Sequence, residues 1–280
     1  MLIDLADVDL APFRTNQINT IVSFSGGRTS GVMLWHVLKA HDWNLPENVK
    51  VVFENTGKER EETLDFVHEV ETRWGVDINW IEWRLEKPRF RRVNYETASR
   101  NGEPFAELIE WKGNYLPGPV QRMCTQHLKV DCMRHFIRSE LQWDEWQSFI
   151  GIRADEPRRW RVEGPDPKFK RECREIPLRT AQITEEHVFE FWNKQPFDLQ
   201  LKSYEGNCDL CFLKGHKKRM LIMEENPHLA QWWIDQEERT GRSFRPRQPF
   251  KDLYEYTTKQ MRLPLLPEVN DDLGECLCHD

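Results

Sequence analysis

The 280-residue chain carries a formal net charge of −7, and 39% of its residues are apolar, with 12 Trp and 15 Phe. That balance excludes a disordered chain and a general nucleic-acid coat, and the length suffices for one large domain or a domain with an appendage. No apolar run approaches bilayer length, Met1-Leu2-Ile3-Asp4 has no basic segment, and the seven cysteines are too unevenly spaced for a disulfide scaffold. A soluble, cytoplasmic protein without a membrane partner is expected, its cysteines available for metal or redox chemistry.

Residues 1–18 read as an N-terminal arm. The apolar run from Thr20 predicts a buried strand that stops at Ser25, and Val32, Met33, Trp35 and Leu38 predict the helix that follows. Between them stand Ser23, Ser25, Gly26, Gly27, Arg28, Thr29 and Ser30. A strand, a glycine–hydroxyl loop and a helix together present bare N–H groups and a positive helix end to phosphate. The spacing is neither that of a Walker loop nor G-x-G-x-x-G. Val51–Glu54 predicts a second strand leading into Asn55-Thr56-Gly57. The next helix buries Phe66, Val67, Val70 and Trp74, carries acidic residues at its start, and stops at Gly75. A third strand is expected over Ile78–Trp83.

Residues 84–120 hold Pro88, Asn101-Gly102 and Pro117-Gly118-Pro119, and read as a long insertion or lid. A helix is expected from about Thr125 to Leu141, a fourth strand over Trp146–Ile152, and a capped helix after Thr184. The alternation predicts an α/β fold with a doubly wound, mostly parallel sheet over residues 19–196. Residues 197–280 form a C-terminal extension of helices and loops containing a C-x-x-C and a cysteine-bearing tail. Ligands of such sheets sit beyond the carboxyl ends of the strands, where Ser25, Asn55 and Arg153 converge.

Ser25-Gly26-Gly27-x-x-Ser30 resembles the PP-loop of the adenine nucleotide alpha hydrolase superfamily, with Thr29 where many ATP-using members carry Asp. Further segments resemble the phosphoadenosine phosphosulfate (PAPS) reductase family and occur in its order. They are Asn55-Thr56-Gly57 with Glu62-Thr63, Cys124-Thr125-x-x-Leu128-Lys129, Gly151-Ile152-Arg153-Ala154-x-Glu156, and Ile176-Pro177-Leu178 with the segment from Thr184. The resemblance implies an adenine nucleotide, ATP in the first instance, at the loop. Mg2+ would accompany it, and Arg28, Lys129 and Arg153 would face the phosphates together with Gly151 and Glu156. Two reactions are implied. One is cleavage of ATP at the α-phosphate with adenylation coupled to sulfur transfer. The other is reduction of adenylyl sulfate or PAPS to sulfite.

Cys208-x-x-Cys211 lets two thiolates reach one metal. Cys124 lies about as far ahead of it as one cysteine element lies from the other in the iron–sulfur sulfonucleotide reductases, although Met123 stands where they have a second cysteine. A [4Fe–4S] cluster on Cys124, Cys208 and Cys211 is implied, as in the thiolation enzymes. His127, three residues beyond Cys124, offers a Cys3His zinc site instead. The tail Glu275-Cys276-Leu277-Cys278-His279 resembles the mobile Glu-Cys-Gly-Leu-His of the reductases, which makes Cys276 their candidate nucleophile. Expected partners are a thioredoxin-like reductant or a sulfur donor, an RNA or other nucleic-acid acceptor at the arginine-rich stretches, and a second copy in a homodimer. A non-catalytic, metal-stabilised binder of nucleotides or nucleic acid is the remaining reading.

Overall fold

A computed structural model describes residues 8–259. Seven strands make one sheet: β1 (Thr20–Ser23), β2 (Val49–Asn55), β3 (Ile78–Trp83), β4 (Phe90–Arg92), β5 (Trp146–Ile150), β6 (Gly164–Pro165) and β7 (Glu172–Glu175). Their order is β4-β3-β2-β1-β5-β7-β6. The central pairs are parallel, and β4 and β6 add antiparallel edges. The fold is therefore α/β with a mostly parallel sheet, as expected. β1 lies between β2 and β5, so the chain winds outward in opposite directions from it. This reversal opens a crevice at the carboxyl ends of β1 and β5.

Alternation along the central strands feeds two apolar layers. Val22, Val51 and Phe53 pack on one face with α1 (Arg28–Ala40), α2 (Glu61–Trp74) and α6 (Glu185–Asn193). Ile21 and Val52 pack on the other with α3 (Glu103–Trp111), α4 (Cys132–Phe136), α7 (His216–Glu225), α8 (Ala230–Thr240) and α9 (Phe250–Lys259). Pro177–Thr180 forms the short α5. From the expected arm, Phe13 is fully buried and stacks on the His36 ring at 4.9 Å.

Three expectations change in detail. The helix over Thr125–Leu141 is a run of three segments, with π-helices at Cys124–Asp131 and Ile137–Leu141 around α4. The fourth strand ends at Ile150, because Gly151 leaves the ladder to meet the backbone of Ser30. Residues 84–120 contain β4 and α3 and pack on the Asn55–Gly57 loop, where the Gly102 N–H donates to the Gly57 carbonyl at 2.8 Å.

Candidate functional site

The loop after β1 is built by close approach. Gly26 has φ +77°, and a Cβ there would sit 2.7 Å from Thr63 and 3.0 Å from Val67, so only glycine lets the loop lie on α2. The Ser25 and Ser30 hydroxyls lie 3.0 Å apart, and Ser30 Oγ also donates to the Gly27 carbonyl. No side chain caps α1 at Gly27, so the first N–H groups of the helix point out of its end. Beside that end lies a cleft of about 470 Å³ bordered by Gly27, Thr29, Arg153 and Asn207. Six cationic and three acidic residues line it, and four of the cations, Arg28, Arg153, Arg159 and Lys202, are paired with carboxylates.

Arg153 follows β5 and crosses to the loop, its Nη1 donating to Thr29 Oγ1 at 3.3 Å. Asp155 at 3.0 Å and the Glu156 carboxylate, which accepts the Arg153 backbone N–H at 2.9 Å, fix its direction. Gly151 makes the crossing possible, since a Cβ there would lie 3.0 Å from Ser30 Cα and 3.3 Å from its nitrogen. Backbone cannot yield as a side-chain tip does. Gly151→Ala is therefore expected to cost about 1–3 kcal/mol, read from the urea midpoint, and to weaken any anion binding at the loop.

Arg28, expected to face phosphate, borders the cleft and is also tied into the fold. Its guanidinium makes a bidentate pair with Asp198 at 2.8 and 2.9 Å and reaches the Leu199 carbonyl, fastening the segment after α6 to α1. Lys218, which also borders the cleft, has no acidic partner among the described residues.

The Asn55–Gly57 loop is held from below. Asn55 is fully buried and donates to Glu82 at 2.6 Å, while its Oδ1 accepts the Gly57 N–H at 3.0 Å. Glu82, also fully buried, further accepts from the Ser99 backbone at 2.6 Å and from Arg91 at 2.6 Å. Thr56 gives its N–H and hydroxyl to Glu59. Lys129 approaches Glu59 at 3.6 Å from the Cys124–Asp131 π-helix. Glu54 stands on the same face, its carboxyl pushed up to about 7 by burial against the opposing pull of Lys129. Ser23 points to Met133 from this side. Neither Lys129 nor Asn55 borders the cleft around Arg153.

The cysteine segments share one apolar layer. Cys124 and Cys208 are half-buried and Cys211 is buried, all against the second core. His127 turns its Nδ1 to Asp131 at 2.8 Å, and burial, with Lys112 nearby, lowers its pKa against the pull of Asp131. Among the described residues, no group of three or more His, Cys, Asp or Glu side chains is placed to hold a metal ion. Cys124, Cys208 and Cys211, the expected [4Fe–4S] ligands, thus share one layer without forming such a group among the described residues. Cys276 lies outside the described residues. Among the described residues, no helix is long and apolar enough to cross a membrane.

Sequence reasoning did not find Glu82, Asn207 or the buried Lys58–Asp209 pair, which is 2.7 Å long. Glu82 left one signal, a charged residue inside the apolar run Ile78–Trp83.

Residues 19–199 match the family described as the phosphoadenosine phosphosulfate reductase domain. The nin region protein ORF290 of Escherichia phage lambda is 30% identical over 219 residues, covering 75% of this chain and 71% of its own length. A protein of Methanocaldococcus jannaschii is 35% identical over 219 residues, covering 76% of this chain but 40% of its own. The crystal structure of PAPS reductase from Candida auris, in complex with phosphate, aligns with a TM-score of 0.43 and 17% identity over 65% of this chain and 76% of its own. With a family match spanning most of the chain, the protein belongs to the phosphoadenosine phosphosulfate reductase domain family.

Proposed function

We propose that the chain is an enzyme that binds an adenine nucleotide with its phosphates at the Ser25–Ser30 loop and cleaves ATP at the α-phosphate, adenylating a substrate for sulfur transfer. The carrying observation is the cleft at the uncapped end of α1, with Arg153 anchored on Thr29. An electron pair of the acceptor attacks the α-phosphorus, the bond to the bridging oxygen breaks, and pyrophosphate leaves as the acceptor's proton passes to solvent. Helix N–H groups and the Arg153 guanidinium face the charge that builds on the leaving phosphates. The Mg2+ that accompanies ATP enters as part of the substrate. A sulfur donor and an RNA or other nucleic-acid acceptor complete this reading.

The reductase reading rests on the resemblance of the tail around Cys276, with a thioredoxin-like protein as the reductant. Product analysis separates the two. Pyrophosphate released from ATP supports adenylation, sulfite released from PAPS or adenylyl sulfate supports reduction, and neither product would sink both. Arg153→Met is expected to weaken ATP binding roughly 10- to 100-fold in calorimetry, the loss of one charge-assisted contact.

A further inference from the structure

One strap carries the two C-x-x-C cysteines and touches the loop after β1 and the segment that follows Asn55–Gly57. Asn207, only 3% exposed, donates its Nδ2 to the Ser25 carbonyl at 2.8 Å, at the first residue of the phosphate loop. Its own carbonyl accepts the Arg60 N–H at 2.6 Å. The next residue, Cys208, pairs with Glu59 in an antiparallel bridge. Asp209 then donates its N–H to the Lys58 carbonyl at 2.8 Å. Residues 207–209 therefore run along 58–60 and reach the phosphate loop through one amide.

That amide also borders the cleft. One Nδ2 N–H goes to Ser25, which leaves the second N–H and the acceptor Oδ1; Oδ1 receives no donor from the protein among the described residues. The residue that secures the phosphate loop is thus the immediate neighbour of Cys208 and a wall of the binding space.

We propose that Asn207 is a positioning residue that couples occupancy of the phosphate cleft to the order of the cysteine strap, so that a bound polyphosphate closes the strap over residues 205–211. The physical basis is linkage: a ligand that holds the loop in the geometry Asn207 requires also stabilises the strap, and the strap returns the same factor to the ligand. The proposal rests on the phosphate-binding reading above. It adds that the nucleotide half and the sulfur half of the chemistry are joined mechanically, through a residue that touches both.

Hydrogen exchange read by mass spectrometry on peptides spanning 204–215 tests it, with and without saturating ATP or inorganic pyrophosphate, alongside calorimetry. In the wild-type protein either anion is expected to slow exchange in these peptides at least about fivefold. In Asn207→Ala the protection should vanish and the anion should bind more weakly by a similar factor. Peptides of α2 and β3 should exchange as in the wild type, which distinguishes lost coupling from general loosening. Heat of binding without strap protection in the wild type would overturn the coupling alone. Equal protection in Asn207→Ala would remove Asn207 from it. No heat with either anion would overturn both this proposal and the phosphate reading.

Discussion

Lys58→Met is expected to be the most damaging single substitution outside the apolar cores, costing about 3–5 kcal/mol in urea unfolding. Lys58 and Asp209 face each other at 2.7 Å, with side chains only 7% and 5% exposed. Lys58 also lies over the Trp232 ring at 5.0 Å, and Asp209 accepts the Trp233 indole N–H at 2.9 Å. Removing the ammonium leaves a carboxylate in a nearly dry pocket with two neutral donors, the Trp233 indole and the Leu210 backbone N–H, and this poorly compensated charge dominates the cost. The double variant Lys58→Met/Asp209→Leu removes both charges and should recover most of the loss. If the double variant is as unstable as the single one, the pair does not act through charge compensation. Because Asp209 belongs to the cysteine strap, the single variant should also loosen exchange over residues 205–211.

Glu54→Gln should change the pH dependence of stability more than its level at low pH. The Glu54 carboxyl is raised from 4.5 to about 7 by burial, against Lys129, while Glu59 and Glu172 push it further up. Below about pH 4.5 it is protonated in both the folded and unfolded chain, and ionisation costs nothing. As pH rises toward 7 the unfolded chain releases this proton first, so stability is lost across that window and the loss then levels off. Glutamine cannot ionise. The stability of Glu54→Gln relative to wild type should therefore rise by about 2–3 kcal/mol between pH 5 and pH 8. Urea midpoints for both proteins at the two pH values check this, and a difference that stays flat would show that Glu54 titrates normally.

The loop after β1 was legible because its requirements are local. A chain that must turn from β1 into α1 while resting on α2 needs glycine at position 26, and the Gly26 φ of +77° leaves that need visible in one residue. The parallel sheet was legible for a similar reason, since strands buried on both faces are written as short apolar runs such as Ile21–Phe24 and Val51–Phe53. The end of β5 was misplaced by two residues because what stops it is a contact. Ile152 is as apolar as Ile150, and only the approach of Ser30 to Gly151 takes the chain out of the ladder.

Side-chain commitments were less legible. Arg28 sits in the loop motif, reads as a phosphate ligand and borders the cleft, and its guanidinium pairs with Asp198, 170 residues away. Lys129 reads as another and meets Glu59. The three cysteines named as ligands reach one apolar layer without forming a metal-binding group among the described residues. Each outcome depends on which polar group is nearest in space, and spacing along the chain carries no record of that.

By itself the sequence determined the family, the α/β layering and the glycine-built turn at the end of β1, because backbone conformation and the burial of apolar faces are set by residues close in sequence. Only the tertiary structure decided which charges are spent, that Glu54 is buried beside Lys129, and that Asn207 spans from the cysteine strap to Ser25. Those are energies of desolvation and pairing between groups far apart in the chain, and they exist only once the sheet has brought the groups together.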